Sequence, residues 1–264
     1  MEKIVNDFTI NIATANGTGS QSANLILLQT LFDMGIPVSG KNLFPSNISG
    51  LPTWYIVRLS EKGYQAPGDR THIQILVNPA TWEEDLASLE PGTVVIWNMD
   101  SKMPMEREDV ISYPVPMTKI ARKLNPKLAR MIANVVYVGV LAELLGMDQE
   151  VLEAAISKQF GGKAKAIELN AEAARLGRAY CAEELTKSDA YAVESREIEE
   201  GGFFIEGNEA IALGSIFGGI QMLGWYPITP SSSVAEGIIS WLPKLRTHEG
   251  KATYAVIQAE DELA

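Results

Sequence analysis

Apolar and polar residues alternate through "DFTINIATA" (7–15), which puts Phe8, Ile10 and Ile12 on one face of a predicted strand. The polar "NGTGSQS" (16–22) follows as a loop, and "ANLILLQTLFDMG" predicts a buried helix ending at Gly35. "TWYIVRLS" (53–60), "HIQILVN" (72–78) and "PGTVVIWN" (91–98) predict further strands, and Thr81-Trp82-Glu83-Glu84 fits a capping box opening a short helix. Strands alternating with helices predict an α/β fold: a three-layer domain on a mostly parallel sheet.

From Met117 the pattern turns helical. Asn125-Pro126 breaks one helix and starts another, because the residue before proline disfavours the α region. "IANVVYVGVLAELLG" (132–146) is apolar nearly all round and predicts a helix packed inside the domain. "DQEVLEAAISKQFGG" carries an N-cap aspartate and a Gly-Gly stop, and a long alanine-rich helix follows over 163–185. The polar, aperiodic "TKSDAYAVESREIEEGG" (186–202) reads as a linker. Beyond it come a short extended piece, a glycine-bearing apolar helix, the loop "YPITP" (226–230), the helix "SSSVAEGIISWLPKL" and the strand "ATYAVIQA". The expected organisation is therefore a domain at 1–185, the linker, and the start of a second α/β domain at 203–264.

Composition narrows the function. The net charge is −11, from 33 acids and 22 bases, which opposes nucleic-acid binding. Lys119, Arg122, Lys123, Lys127 and Arg130 cluster at helical spacing and read as a solvated face. Cys181 is the one cysteine, so this chain forms no internal disulfide and cannot supply the roughly four thiolates of an iron–sulfur cluster. Two histidines are too few for a typical zinc site, so no metal site is expected. No apolar run reaches a membrane span of ~20 residues, and a cytoplasmic location away from membranes is expected.

Two loops carry candidate chemistry. "GTGSQS" (17–22) stands between a strand and a helix, where backbone N–H groups and the helix dipole suit a phosphate. It fails the dinucleotide pattern G-x-G-x-x-G at Ser22, and a tight strand-to-helix turn is the plain alternative. In "YPITP", two prolines fix the chain around Thr229 at the mouth of a helix starting near Ser231, whose amides and hydroxyls suit a carboxylate; a helix cap is the alternative. Glu260, Asp261 and Glu262 follow an apolar strand, where α/β folds place ligands.

Taken together, these segments resemble the 2-oxoacid:ferredoxin (acceptor) oxidoreductases, in the form that fuses a gamma domain ahead of the alpha subunit. The strand–"GTGSQS"–helix start, "SGLPTWYIVRLSEKGY", "ANVVYVGVLAELLGMDQEVLEAAISKQFGGK" and "LNAEAARLGRAY" resemble the gamma domain. "GNEAIALGSIFGGIQMLGWYPITPSSSVAEG" and "YAVIQAEDELA" resemble the opening of the alpha subunit's pyrimidine-binding domain. The resemblance implies oxidative decarboxylation of a 2-oxoacid on thiamine diphosphate, passing the acyl group to coenzyme A and electrons to ferredoxin. It implies that Thr229, with Tyr226 and Ser231 beside it, binds the substrate carboxylate. It further implies that Glu262, or Glu260 as the alternate, touches the cofactor's aminopyrimidine as an acid/base. Coenzyme A would contact Gly17, Thr18, Gly19, Ser20 and Gln21, although Ser20 and Ser22 replace family glycines.

The family's alpha domain continues well past the point reached at Ala264, so partners are implied: the remaining alpha segment, a beta subunit holding thiamine diphosphate and Mg²⁺, iron–sulfur clusters on partner chains, and ferredoxin. Activity would then need those partners. A non-catalytic scaffold or acceptor-facing subunit, and a nucleotide-binding α/β enzyme, are the alternatives.

Overall fold

The computed structural model describes residues 2–43, 51–197 and 202–264; Ser49, Gly50 and the 198–201 part of the expected linker lie outside the described residues. The chain divides into two compact units, residues 1–200 and 201–264.

The first unit opens with β1 (Ile4–Val5), β2 (Phe8–Ala15) and helix α1 (Ser20–Asp33). β3 (Val38–Leu43), β4 (Pro52–Leu59), β5 (Ile73–Leu76), α2 (Trp82–Ala87), β6 (Val94–Asn98) and β7 (Ile111–Val115) follow. Four helices come next: α3 (Met117–Leu124), α4 (Ala129–Leu145), α5 (Gln149–Phe160) and α6 (Ala164–Glu184). A six-stranded sheet runs β3-β4-β2-β5-β6-β7, and β4 alone runs against the other five. The mostly parallel α/β architecture expected from the sequence is present.

Parallel strands buried on both faces lose the simple alternation, and β2 is buried at six of its eight positions. On one face Ala13, Leu76 and Val95 pack against Trp82 and Leu89, with the Trp82 and Trp97 rings edge-to-face at 5.7 Å. On the other face α1 comes close: Leu28 and Tyr55 crowd the space where a Cβ on Gly40 would sit. β3 is polar and half-exposed, which hides it from a hydrophobic pattern, and β7 is interrupted by Pro114.

The break at Asn125-Pro126 is real: α3 ends at Leu124 and α4 begins at Ala129, bent by 118°. Asp148 caps α5 by accepting from Glu150 N and Val151 N. The capping box at Thr81 does not form. Its hydroxyl donates to Asp85 Oδ2 at 2.6 Å, while Asn78 caps the preceding turn by accepting from Ala80 N. Asp85 is buried, which raises its carboxyl above the usual range against the opposing hydrogen bonds from Thr81 and Trp54 Nε1.

α4 is buried at 14 of its 17 positions, as its all-round apolar sequence predicts. It lies against α6 at a crossing only glycines permit. A Cβ on Gly139 would sit 2.0 Å from Ala174 O, and one on Gly177 2.3 Å from Val136 O. No single helix among the described residues is long and apolar enough to cross a membrane.

Part of the segment expected as a linker is bonded into this unit. β8 (Tyr191–Ala192) pairs in parallel with β1, Val193 N donates to Leu145 O, and Arg196 N donates to Met34 O. The cause is three buried side chains, Tyr191, Ala192 and Val193, in an otherwise polar run.

The second unit holds α7 (Gly207–Phe217), β9 (Met222–Trp225), α8 (Ser232–Leu245), a small hairpin of β10 (Thr247–His248) and β11 (Lys251–Ala252), and β12 (Ala255–Gln258). β9 and β12 form a parallel pair, and α7 and α8 share a small core of Ala212, Ile216, Ile238 and Leu242. Residues 222–225 are a strand where the sequence pattern continued an apolar run.

Gly139→Ala should destabilise the protein by roughly 1–3 kcal/mol or more, because the clash is with backbone. Gly214→Ala in α7, with nothing within 4 Å, should be neutral or stabilising. Urea melts of both variants check this. A second expectation concerns His72, whose Nδ1 accepts from Thr9 N at 3.0 Å. Burial, then Arg70 and Arg58, lower its pKa, against smaller opposing effects of Asp7 and Glu90. The unfolded chain therefore takes up the proton first as pH falls. Its contribution to stability is full above about pH 6.5 and is lost below it, towards the lower folded-state value. His72→Asn, which keeps an acceptor and cannot titrate, should flatten the fall of Tm across that window.

Candidate functional site

In the first unit the chain leaves the C-terminal end of β2 and turns into α1 through Asn16–Gly19. Gly17 and Gly19 take φ of 77° and 79°, a region that side chains rarely adopt, and Gly19 is the N-cap of α1. A glycine N-cap has no side chain to satisfy the first-turn N–H groups, and that turn carries no acid. Those donors face a cleft of about 190 Å³ lined by Asn16, Gly17, Gly19, Ser20, Gln21 and Asn24, with Asn42 of β3 and Thr53 of β4 opposite. Because β4 is reversed, its N-terminal end lies beside the C-terminal end of β2, with Pro52 opposite Ala15.

Of the expected loop contacts, Gly17, Gly19, Ser20 and Gln21 line the cleft. Thr18 is turned inward: its hydroxyl donates to Ala15 O at 2.7 Å, and its carbonyl accepts from Asn134 Nδ2 at 2.8 Å. α4 thus braces the loop from below. Tyr137, one turn further along α4, donates its hydroxyl to Asn24 Oδ1 at 2.7 Å. Asn24, Asn42, Thr53, Asn134 and Tyr137 are not apparent from the loop motif. The available signal was polar residues inside apolar helices, since a buried amide must find partners. Of the basic cluster, Lys119, Arg122, Lys123, Lys127 and Arg130 are all exposed, as a solvated face requires.

Cys181 is buried, and burial followed by Glu143 pushes its thiol up to about 11, so it holds no thiolate at neutral pH and is no nucleophile.

In the second unit the strand pair organises the other loop. Register aligns Trp225 with Gln258, and Ala259 N donates to Trp225 O at 2.8 Å. The YPITP loop and the terminal acids therefore leave the same, C-terminal, end of neighbouring parallel strands. Tyr226 is half-buried, whereas Thr229, Ser231, Glu260 and Glu262 are exposed. The Thr229–Pro230 bond is cis.

Helix capping by Thr229 is not observed. Ser231 is the N-cap of α8 and makes no side-chain cap bond; its Oγ donates back to Ile228 O at 3.1 Å. Ser232 Oγ accepts from Ile228 N, and Asn208 Nδ2 donates to Pro230 O and Ser233 Oγ. These bonds hold the loop from both sides and leave the Thr229 hydroxyl with no hydrogen bond among the described residues. Asp261 Oδ1 accepts from Leu263 N and Ala264 N, forming a terminal turn, while Glu260 and Glu262 take no part in it.

Comparison with known proteins places these features in context. Residues 9–180 match the family described as pyruvate ferredoxin/flavodoxin oxidoreductase. The alpha subunit of 2-oxoacid:ferredoxin oxidoreductase 2 from Aeropyrum pernix is 24% identical, over 98% of this chain and 48% of its own length. The 2-oxoglutarate oxidoreductase subunit KorA of Mycobacterium tuberculosis is 26% identical over 78% of this chain and 35% of its own. The solved 2-oxoglutarate:ferredoxin oxidoreductase from Magnetococcus marinus, with 2-oxoglutarate, coenzyme A and succinyl-CoA bound, superposes with a TM-score of 0.84 at 30% identity. That match covers 100% of this chain and 44% of the other. A gamma subunit of a keto/oxoacid ferredoxin oxidoreductase from Geobacter sulfurreducens shares the fold over 66% of this chain, with a TM-score of 0.55 at 18% identity. The chain spans about half the length of the curated relatives it matches. With the family match extending from β2 into α6, the chain belongs to the pyruvate ferredoxin/flavodoxin oxidoreductase family.

Proposed function

We propose that this chain is part of a thiamine-diphosphate-dependent 2-oxoacid:ferredoxin oxidoreductase. The reaction is the reversible conversion of a 2-oxoacid and coenzyme A to acyl-CoA and CO2, with two electrons passed to ferredoxin. The observation that carries the reading is the β9–β12 pair, which sends the YPITP loop and the terminal acids off the same strand ends. In this reading residues 1–185 act as a gamma domain holding coenzyme A at the glycine loop, and 203–264 form one wall of the oxoacid site.

The residues present fit one side of thiamine diphosphate: a hydroxyl and two candidate carboxylates lie at the edge where α/β folds bind ligands. Holding the diphosphate and its metal is not among the roles this reading gives the chain. That role falls to a beta-type partner subunit, and the clusters also fall to partners, because these 264 residues hold one cysteine. When bound, the cofactor supplies the carbon nucleophile for the substrate's carbonyl. The chain's own part is positional. Thr229 donates its hydroxyl proton to the substrate carboxylate, Tyr226 and Ser231 shape the loop around it, and Glu262 holds or passes a proton at the aminopyrimidine. Glu260 is the alternate.

A scaffold role is the second reading, favoured by the exposure of Phe217, Met222 and Ile257, at 81, 61 and 53%. Reconstitution with partner subunits separates the two. The assay is 2-oxoacid-dependent reduction of a viologen dye. The chain alone gives no turnover. Thr229→Ala raises the oxoacid KM by roughly tenfold or more, since a hydrogen bond to a charged group contributes about 1.5–3 kcal/mol. Unchanged KM and kcat in that variant support the scaffold. Glu262→Gln lowers kcat by about a hundredfold or more, as loss of an acid/base does, while Glu260→Gln stays near wild type; the reverse result assigns the acid to Glu260.

A further inference from the structure

Of the four amide side chains that line the glycine-loop cleft, Asn24 and Gln21 have their carbonyl ends occupied by side chains from neighbouring elements. Asn24, 2% exposed, accepts at Oδ1 from the fully buried Tyr137 hydroxyl. Burial raises the Tyr137 phenol well above its ordinary value, so the hydroxyl keeps its proton, and Asn24 Oδ1 is the acceptor it meets. Gln21 accepts at Oε1 from Asn42 Nδ2 at 3.0 Å, and the Thr53 hydroxyl lies beside the same amide, 3.2 Å from Asn42 Oδ1 and 3.0 Å from Leu43 O. What remains is Asn24 Nδ2 and Gln21 Nε2, for which no acceptor is found among the described residues. Both residues line the cleft beside the uncapped first turn of the 14-residue helix α1.

The cleft therefore presents donors from the backbone and from two side chains, without an acid among its lining residues. With their carbonyl ends already bonded, these two amides have only donor atoms left to offer a ligand's acceptors. Oxygen-rich anions fit this lining, and a helix N-terminus binds phosphate with no need of lysine or arginine. The volume of about 190 Å³ is below the ~300–1,000 Å³ of clefts that enclose a drug-sized ligand. The cleft takes a phosphoryl or pyrophosphoryl group and leaves the rest of the molecule outside.

We infer that Asn24 and Gln21 are the side chains that contact a phosphoryl group here, with Tyr137 and Asn42 as positioning residues that hold each amide donor-end outward. The inference rests on the coenzyme A reading above only for the name of the ligand.

Calorimetric titration of the whole chain with coenzyme A, dephospho-coenzyme A, pyrophosphate and pantetheine tests it. Wild type binds coenzyme A and pyrophosphate but not pantetheine. Equal binding of dephospho-coenzyme A puts the bridging pyrophosphate in the cleft, and its loss puts the 3′-phosphate there. Asn24→Asp keeps the oxygen that accepts from Tyr137 and replaces the donating NH2 with a carboxylate oxygen; affinity falls by about tenfold or more. Gln21→Glu does the same at an exposed position, so it carries the test if Asn24→Asp fails to fold. In ¹H–¹⁵N spectra the Asn24 and Gln21 side-chain NH2 signals shift on adding pyrophosphate. Tyr137→Phe silences the Asn24 response and Asn42→Ala the Gln21 response, changes that a merely structural role would not produce. Coenzyme A bound equally by wild type and both acidic variants overturns the amide assignment and leaves the coenzyme A reading standing. Pyrophosphate binding that the variants lose, with coenzyme A not bound, keeps the assignment and overturns that reading. Binding of neither by wild type overturns both.

Discussion

The close crossing of α4 on α6 sets the position of almost everything that matters in the first unit. Gly139 and Gly177 let each backbone rest on the other's carbonyls, at a separation any Cβ would forbid. Close-packed interiors transmit such constraints, because neighbouring groups have no free volume in which to relax. α4 carries Asn134 and Tyr137 on adjacent turns, and those two side chains hold the glycine loop by Thr18 O and the cleft by Asn24 Oδ1. The depth at which α6 lets α4 settle is therefore the depth at which the loop is held.

Much of this was legible in the sequence, and what was missed has physical causes. The alternation in β2, the break at Asn125-Pro126 and the all-apolar α4 announce elements whose burial dominates their energetics. β3 and the Tyr191–Ala192 strand escaped because their pairing is held by backbone bonds and a few buried side chains, not by a periodic stripe. At Thr81 a capping signature was present, yet the buried Asp85 drew the hydroxyl into its own hydrogen bond. Spacing alone left the glycine loop open between a phosphate turn and a plain strand-to-helix turn. Its partners could not be read from it, because Asn42, Thr53, Asn134 and Tyr137 come from segments brought to the loop by tertiary structure.

The second unit shows a different division of labour. Its helices share a small core, while the strand pair keeps Met222 and Ile257 largely exposed. The loop between β9 and α8 is held by backward and lateral hydroxyl and amide bonds over residues 228–233. Thr229 is thus presented on a backbone held by these bonds, and its hydroxyl makes no hydrogen bond among the described residues.

The reversed strand β4 has a consequence for how the cleft could change over time. In a fully parallel sheet, the edge that holds the glycine loop would be lined by strand ends and the loops after them. Reversing β4 brings the start of a strand, Thr53, to that edge, directly opposite Thr14 in β2. Its side chain reaches Asn42 only in this register. A one-residue slip of β4 would turn Thr53 to the far face and Trp54 towards the helices, so the cleft wall and the tryptophan-lined core cannot be altered independently. Variation at the cleft edge is tied by strand pleating to the packing of the opposite layer.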